Sequence, residues 1–286
     1  MTAVPPIAED RSDGPHSDIL RAEAIRVGYD TRVVIDGLDV GFPVGSITAL
    51  VGPNASGKST LLKALARLLP LQAGQVLLDG AALQTMSSRV IAQRLGVLPQ
   101  SPLAPEGITV ADLVSRGRHP HGRLLRRSGV DDLRVVADAL VVTGTAELAD
   151  RPVESLSGGQ RQRVWIAMAL AQQTSLLLLD EPTTYLDIAH QIEVLDLLAD
   201  LRAAASKTIV MVLHDLEQAA AYADRLLVLS EGRLVAEGPP REVLTEQLVQ
   251  DVFGLRSRII PDPDTGTPLI LPRGRHSSSP TPQEIP

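Results

Sequence analysis

The sequence predicts an α/β fold, a parallel sheet covered by helices on both faces, and three observations carry that expectation. Short apolar runs of strand length alternate with helically periodic stretches over most of the 286 residues. One run, Leu176 to Leu179, is apolar at every position, the pattern of a strand buried on both sides. A glycine-rich segment, Gly52-Pro53-Asn54-Ala55-Ser56-Gly57-Lys58-Ser59-Thr60, lies between an apolar run and a periodic helix.

Taken in order, Ile19 to Val27 and Thr31 to Phe42 read as strands joined at the turn Gly28-Tyr29-Asp30, with a third strand from Ser46 to Val51. They are expected to form an edge sheet ahead of the glycine-rich segment. Lys58 to Leu69 reads as a helix, Gln75 to Leu78 as a strand closed by Asp79-Gly80, Ser87 to Arg94 as a short helix, and Gly96 to Leu98 as a buried strand ending at Pro99-Gln100. The pattern then changes. Thr109 to Arg116, with Thr109 and Asp112 at capping-box spacing, and Asp131 to Val142 are both helical, so residues 101–157 form a helical insertion. Alternation resumes after Gly158: a helix to about Gln172, strand Leu176 to Leu179, helix Ile188 to Ala203, strand Thr208 to Leu213, helix Leu216 to Tyr222, and strands Arg225 to Leu229 and Arg233 to Ala236. Residues 1–17 are polar and Pro-rich without an apolar centre, a disordered lead and not a signal peptide. Residues 258–286 form a C-terminal extension whose last ten, rich in Ser and Pro, are expected to be disordered.

Composition narrows the function classes. A 44% hydrophobic content fills a sizeable core, and with aromatics at 2% that core is built from Leu, Val, Ile and Ala. The net charge of -7, without a basic stripe, argues against a nucleic-acid partner. No apolar run approaches the ~18 residues that span a bilayer. With no cysteine there is neither a disulfide framework nor a Cys-based metal site, which fits a reducing cytosol.

The chemistry gathers at three junctions. In the segment from Gly52 to Thr60, successive backbone N–H groups can cradle a phosphate chain at a helix N-terminus, with Lys58 reaching the terminal phosphates. Lysine is scarce, at positions 58, 63 and 207 only, while arginine is plentiful; a compact ammonium fits where a flat guanidinium does not. The apolar strand from Leu176 ends in Asp180-Glu181, two carboxylates at the sheet edge where ligands of α/β proteins sit. In phosphate-loop ATPases the first carboxylate holds Mg2+ with the loop hydroxyl, here Ser59, and the next residue, Glu181, polarises the attacking water. Ser157-Gly158-Gly159-Gln160 opens a helix with Ser157 as its cap and so offers a second phosphate site. One chain with two such half-sites satisfies both by pairing head to tail with a second copy, burying an ATP in each.

This set resembles the ATP-binding-cassette (ABC) ATPase superfamily from roughly Ile19 to Val252. The resemblance implies a phosphate-loop NTPase (RecA-like) core, with an N-terminal antiparallel β subdomain and an inserted α-helical subdomain, over residues 18–257. It makes Gly52 to Thr60 the Walker A loop, Leu156 to Gln160 the signature, Leu176 to Asp180 Walker B and Leu186-Asp187 part of the D-loop. Glu181 becomes the catalytic glutamate, His214 the switch histidine, and Gln100 the Q-loop residue that touches Mg2+ and senses the γ-phosphate. Tyr29 matches the aromatic that stacks on adenine, or is a turn tyrosine packed on the sheet edge.

More narrowly, the strings Arg116 to His121, Gln160 to Ala169, Thr183 to Gln191, Val252 to Leu255 and Asp262 to Leu269 are similar to ATPase subunits of bacterial iron-siderophore importers. That group implies a peripheral subunit on the cytoplasmic face of the cell membrane, with permease subunits and, indirectly, a substrate-binding protein as partners. Haem, vitamin B12 or metal-ion cargo and a two-chain exporter are the alternatives. A motor ATPase would need a long coiled coil before the signature, a translation-type protein two cassettes, and a kinase or helicase no Leu156 to Gln160 at all. The permease contact is expected along Ser101 to Arg118, with Arg116 and Arg118 as rim charges.

Overall fold

The computed structural model describes residues 18–121 and 130–274, so the expected disordered lead (1–17) and tail (the last ten residues) lie outside the described residues. Within them, two sheets lie on either side of a shared apolar layer. The larger has the order β10-β9-β3-β8-β7-β6, built from β3 (Ile47–Val51), β6 (Leu95–Leu98), β7 (Leu176–Asp180), β8 (Thr208–Val212), β9 (Arg225–Ser230) and β10 (Arg233–Gly238). Its pairs are parallel from β6 to β9, and β10 folds back antiparallel. The smaller has the order β2-β1-β4-β5, with β1 (Asp18–Tyr29), β2 (Arg32–Pro43), β4 (Ala73–Leu78) and β5 (Ala81–Ala82), all antiparallel.

The four leucines of β7 show why the large sheet forms. Leu177 and Leu179 enter the core beneath α5 (Gly158–Ala171), α6 (Ile188–Ala205) and α7 (Leu216–Tyr222); Leu176 and Leu178 enter the core shared with the small sheet and α1 (Lys58–Leu65). A strand flanked on both sides has no polar face to offer. The same rule corrects the placing of β3. All five of its residues are buried, and it sits between β8 and β9 in the large sheet, not in the N-terminal edge sheet. In the small sheet the place beside β1 is taken by β4, paired to it across some fifty residues of chain.

Other departures are local. Strand β1 runs two residues further than expected, through Gly28 and Tyr29, and the chain turns from Asp30, at φ +49. Helix α1 stops at Leu65, because Arg67 turns left-handed (φ +55) and sends its guanidinium to the carbonyls of Leu83 and Met86. A hairpin of β11 (Ser257–Pro261) and β12 (Pro268–Pro272) follows α8 (Pro240–Val243) and α9 (Glu246–Phe253), and its Ile270 joins the main core.

The helices α3 (Val110–Ser115) and α4 (Val130–Val142) pack on α5, whose Val164, Trp165, Ile166 and Ala167 are all buried. The chain enters and leaves this lobe side by side: Val110 N–H donates to Arg151 O at 3.0 Å and Val153 N–H to Ile108 O at 3.0 Å. Helix α2 (Ser88–Arg94) lies beside β6.

Arg118 departs from its expected place on a rim. Its side chain is 11% exposed and turns inward, with Nε 2.8 Å from Asp132 Oδ1, and NH1 donating to Ala171 O at 2.8 Å and Gln173 Oε1 at 2.9 Å. It therefore ties the turn after α3 to α4 and to the end of α5, while Arg116 stays exposed. Arg118→Ala is expected to destabilise the chain by about 2 kcal/mol, because it removes the hydrogen bonds to Asp132, Ala171 O and Gln173 that join the turn after α3 to α4 and the end of α5. Urea denaturation checks this, and Arg116→Ala should leave the midpoint nearly unmoved.

Candidate functional site

The site lies where β3, β6, β7 and β8 end. Beyond β3 the chain passes so close to β9 that a Cβ on Gly52 would sit 2.0 Å from Leu229 O. Ser56 N–H closes the loop onto Pro53 O at 3.2 Å, and Gly57, left-handed at φ +104, begins α1 with no side-chain cap. The first backbone N–H groups of α1 therefore face the cleft with the positive end of the helix dipole. Lys58 turns back into the loop, its Nζ donating to Gly52 O at 2.9 Å and Pro53 O at 2.8 Å. Burial holds its pKa below the usual lysine range, against the pull of Glu181 and Asp180.

Ser59 Oγ donates to Asp180 Oδ1 at 2.9 Å, joining the loop to the end of β7. Asp180 is buried, which pushes its pKa up; the Ser59 hydrogen bond works the other way. Glu181, the next residue, has φ +55, and this left-handed step turns its side chain across the strand ends. Oε1 lies 2.7 Å from His214 Nε2, while Oε2 accepts from Gln100 Nε2 at 2.6 Å and Thr184 Oγ1 at 3.0 Å. Gln100 follows β6 and His214 follows β8, the two neighbours of β7, so three adjacent strand ends converge on one carboxylate.

These groups border a cleft of about 400 Å³ lined by Tyr29, Arg32, Val34, Asn54, Ala55, Ser56, Gly57, Lys58, Ser59, Thr60, Glu181 and His214. Arg32 and Val34 are not singled out by the sequence; the available signal was the place of Arg32 opposite Tyr29 across the hairpin turn, with Val34 two residues further along the same strand. The cleft fits a nucleoside triphosphate on the residues' own terms. Ser56 Oγ is buried without a hydrogen-bond partner, the loop backbone needs glycine to close, and Ser59 with Asp180 presents the oxygen donors that a hard divalent cation takes.

Ser157, Gly158, Gly159 and Gln160 do not line this cleft. Ser157 caps α5 in a reciprocal box: Gln160 N–H donates to Ser157 Oγ at 3.3 Å, and Ser157 N–H to Gln160 Oε1 at 3.1 Å. Gly158 is exposed, but Gly159 is buried, and a Cβ on it would fall 2.7 Å from the His190 ring. The second glycine thus makes room for an imidazole, a reason absent from the sequence reading. Tyr185, at φ +65 and 88% exposed, stands beside this turn.

The protein family described as ABC transporter matches residues 35–184. The ferric enterobactin transport ATP-binding protein of Escherichia coli K12 is 49% identical over 260 residues, covering 91% of this chain and 96% of that protein. The petrobactin import ATP-binding protein FpuD of Bacillus anthracis is 49% identical over 256 residues, covering 90% and 94%. Among solved structures, an inward-facing metal-chelate type ABC transporter is similar with a TM-score of 0.79 and 30% identity, covering 91% of this chain and 99% of its own.

The buried carboxylate makes a testable demand. A carboxyl whose folded pKa is raised favours folding fully only below its ordinary value of 3.8, and that contribution is lost as pH rises through the folded pKa. At neutral pH a charged Asp180 is therefore a cost to the nucleotide-free fold. Asp180→Asn, which keeps the acceptor for Ser59, should unfold at a higher temperature than the parent at pH 7, and the gap should narrow as pH falls towards 3.8. Calorimetry without nucleotide reads both; a lower transition at pH 7 contradicts the argument.

Proposed function

Because this chain belongs to the ABC transporter family, we propose that it is the ATP-hydrolysing subunit of an importer that takes up an iron-siderophore complex through separate membrane permease subunits. The observation that carries the reading is the grip on Glu181: a carboxylate set by Gln100, Thr184 and His214 beside a phosphate-sized loop. The names of the relatives above support the cargo class, and the import role of the petrobactin protein supports the direction.

In this reading the phosphates of ATP lie on the loop from Gly52 to Thr60, and the Lys58 ammonium exchanges its two carbonyl partners for phosphate oxygens. Tyr29, nearly half exposed at the cleft mouth, supplies a face for adenine. Ser59, Asp180 and Gln100 would hold Mg2+, which when bound neutralises charge on the phosphates. Glu181 takes the proton of the attacking water; His214 and Gln100 donate to its carboxylate and orient it. The turn from Ser157 to Gln160, outside its own cleft, closes on the ATP of a second copy arranged head to tail.

Among the described residues no helix is long and apolar enough to cross a membrane. The subunit meets the membrane through the permease, on its cytoplasmic face, and a substrate-binding protein delivers cargo from the other side. The permease contact lies along 101–118, where exposed Leu103 and Arg116 border the lobe that Gln100 leads into. Arg118 is withdrawn from that rim because it holds the lobe together.

Lys58→Ala should abolish most ATP binding, read by fluorescence titration; micromolar affinity retained in this variant contradicts the assignment. Glu181→Gln keeps the shape and loses the base. It should bind ATP, hydrolyse it about 10²-fold more slowly or worse, and accumulate as an ATP-dependent dimer on gel filtration. Arg116→Glu should reduce transport in reconstituted vesicles while the ATPase rate of the purified subunit stays close to the parent's.

A further inference from the structure

A polar chain of side chains leaves the hydrolytic centre through Gln191, the last residue of the string that begins at Thr183, and reaches Gln218, which none of the motifs above includes. Gln218 lies in the first turn of α7, four residues after His214, in a helix started by Asp215, whose Oδ1 accepts the N–H groups of Glu217 at 2.8 Å and Gln218 at 2.9 Å. Gln218 Nε2 donates to Gln191 Oε1 on α6 at 2.6 Å. Gln191 Nε2 donates in turn to Leu186 O at 3.0 Å and, more loosely, to Thr183 O at 3.4 Å. The far end sets the polarity of the chain. Of the two polar atoms of Gln191 only its NH2 group can bond these carbonyls, so its oxygen must face α7, and α7 must supply a donor.

The loop so held, residues 182–187, begins next to Glu181 and ends at Asp187, the cap of α6. Near its start Thr184 Oγ1 donates to Glu181. Along its flank, the carbonyl of left-handed Tyr185 lies 3.7 Å from where a Cβ on Gly158 would be. At its end, Asp187 accepts His190 N–H at 3.0 Å and lies 2.6 Å from His190 Nδ1, and that ring covers Gly159. One loop therefore contacts the hydrolytic carboxylate at one end and lies beside Gly158 at the other, where Asp187 also holds the His190 ring over Gly159, and Gln191 ties the loop to the helix that follows His214.

We propose that Gln191, aligned by Gln218, is a positioning residue of the ATPase, acting through loop 182–187. Given the head-to-tail arrangement of the preceding section, on which this rests, it makes the His214–Glu181 contact in one copy's cleft and the signature turn presented to the other copy move as a unit. Neither glutamine lines the cleft. Their loss should leave ATP affinity intact and lower the rate, since a misplaced catalytic group costs turnover more than ground-state binding.

The test uses Gln218→Glu, close in shape but with an acceptor facing an acceptor, against Gln218→Lys, poorer in shape but still a donor, with Gln191→Leu as the full break. In purified full-length chain, Gln218→Glu and Gln191→Leu should lose about tenfold in kcat with KM for ATP within about twofold of the parent, and the double variant should be no worse than Gln191→Leu. Gln218→Lys should retain kcat within about twofold. A role in packing alone reverses that ranking, so equal or greater loss in Gln218→Lys overturns the proposal, as does parent-like turnover in Gln218→Glu or a change confined to KM. A parent chain that binds no ATP would instead overturn the functional reading, which keeps the two failures apart.

Discussion

The hydrogen bond from Ser59 to Asp180, 2.9 Å long and spanning 121 residues of sequence, is the constraint on which the rest of the site depends. It fastens the first turn of α1 to the edge of a strand that is buried along its whole length, and so fixes the glycine-rich loop relative to the sheet. Asp180 is the last residue of β7, and Glu181 leaves the strand with a left-handed backbone. Because β6 and β8 flank β7 in register, Gln100 and His214 arrive on either side of that carboxylate without long loops to place them. Parallel strands deliver their ends to one edge, and here the edge is the site.

This arrangement buries a cation and an anion that the bare fold would prefer in water. Lys58 and Asp180 are each displaced by burial from their ordinary pKa values in the direction that disfavours charge. Such groups persist only where the surroundings are strong enough to carry them. Two apolar layers, one on each face of the large sheet, provide that reserve, with leucines from β7 shared between them. Strain at Glu181 belongs to the same pattern, local cost concentrated where chemistry needs a fixed geometry.

Much of this was legible in the sequence because the signals are local or doubly constrained. Leu176 to Leu179 can only be a strand with two covered faces, and a glycine loop between strand and helix has few other uses. Ser157 read correctly as a cap because capping is a matter of four consecutive residues, here Ser157 to Gln160. What escaped the reading depends on distant partners. Nothing near Ser46 says that β3 belongs between β8 and β9, or that β4 will pair with β1. The hairpin from Ser257 to Pro272 has apolar runs of only two and three residues, cut off by Pro261, Pro268 and Pro272, yet Ile270 reaches the core. Arg118 looks from sequence like one charge in a basic turn, and only Asp132, Ala171 and Gln173, brought in by folding, draw it inward. The imidazole over Gly159 is likewise invisible until α6 is laid against α5.

The paired strands of chain at the base of the helical lobe carry a consequence of a different kind. Residues 108–110 and 151–153 lie side by side, so the lobe starts and finishes at one spot on the core. An insertion whose two ends meet can be exchanged for another of different length or surface without repositioning any strand of the parent sheet. The lobe is in that sense a detachable part. Its outer surface can diverge to suit a new membrane partner while the strand ends that carry Lys58, Asp180 and Glu181 inherit no strain from the change.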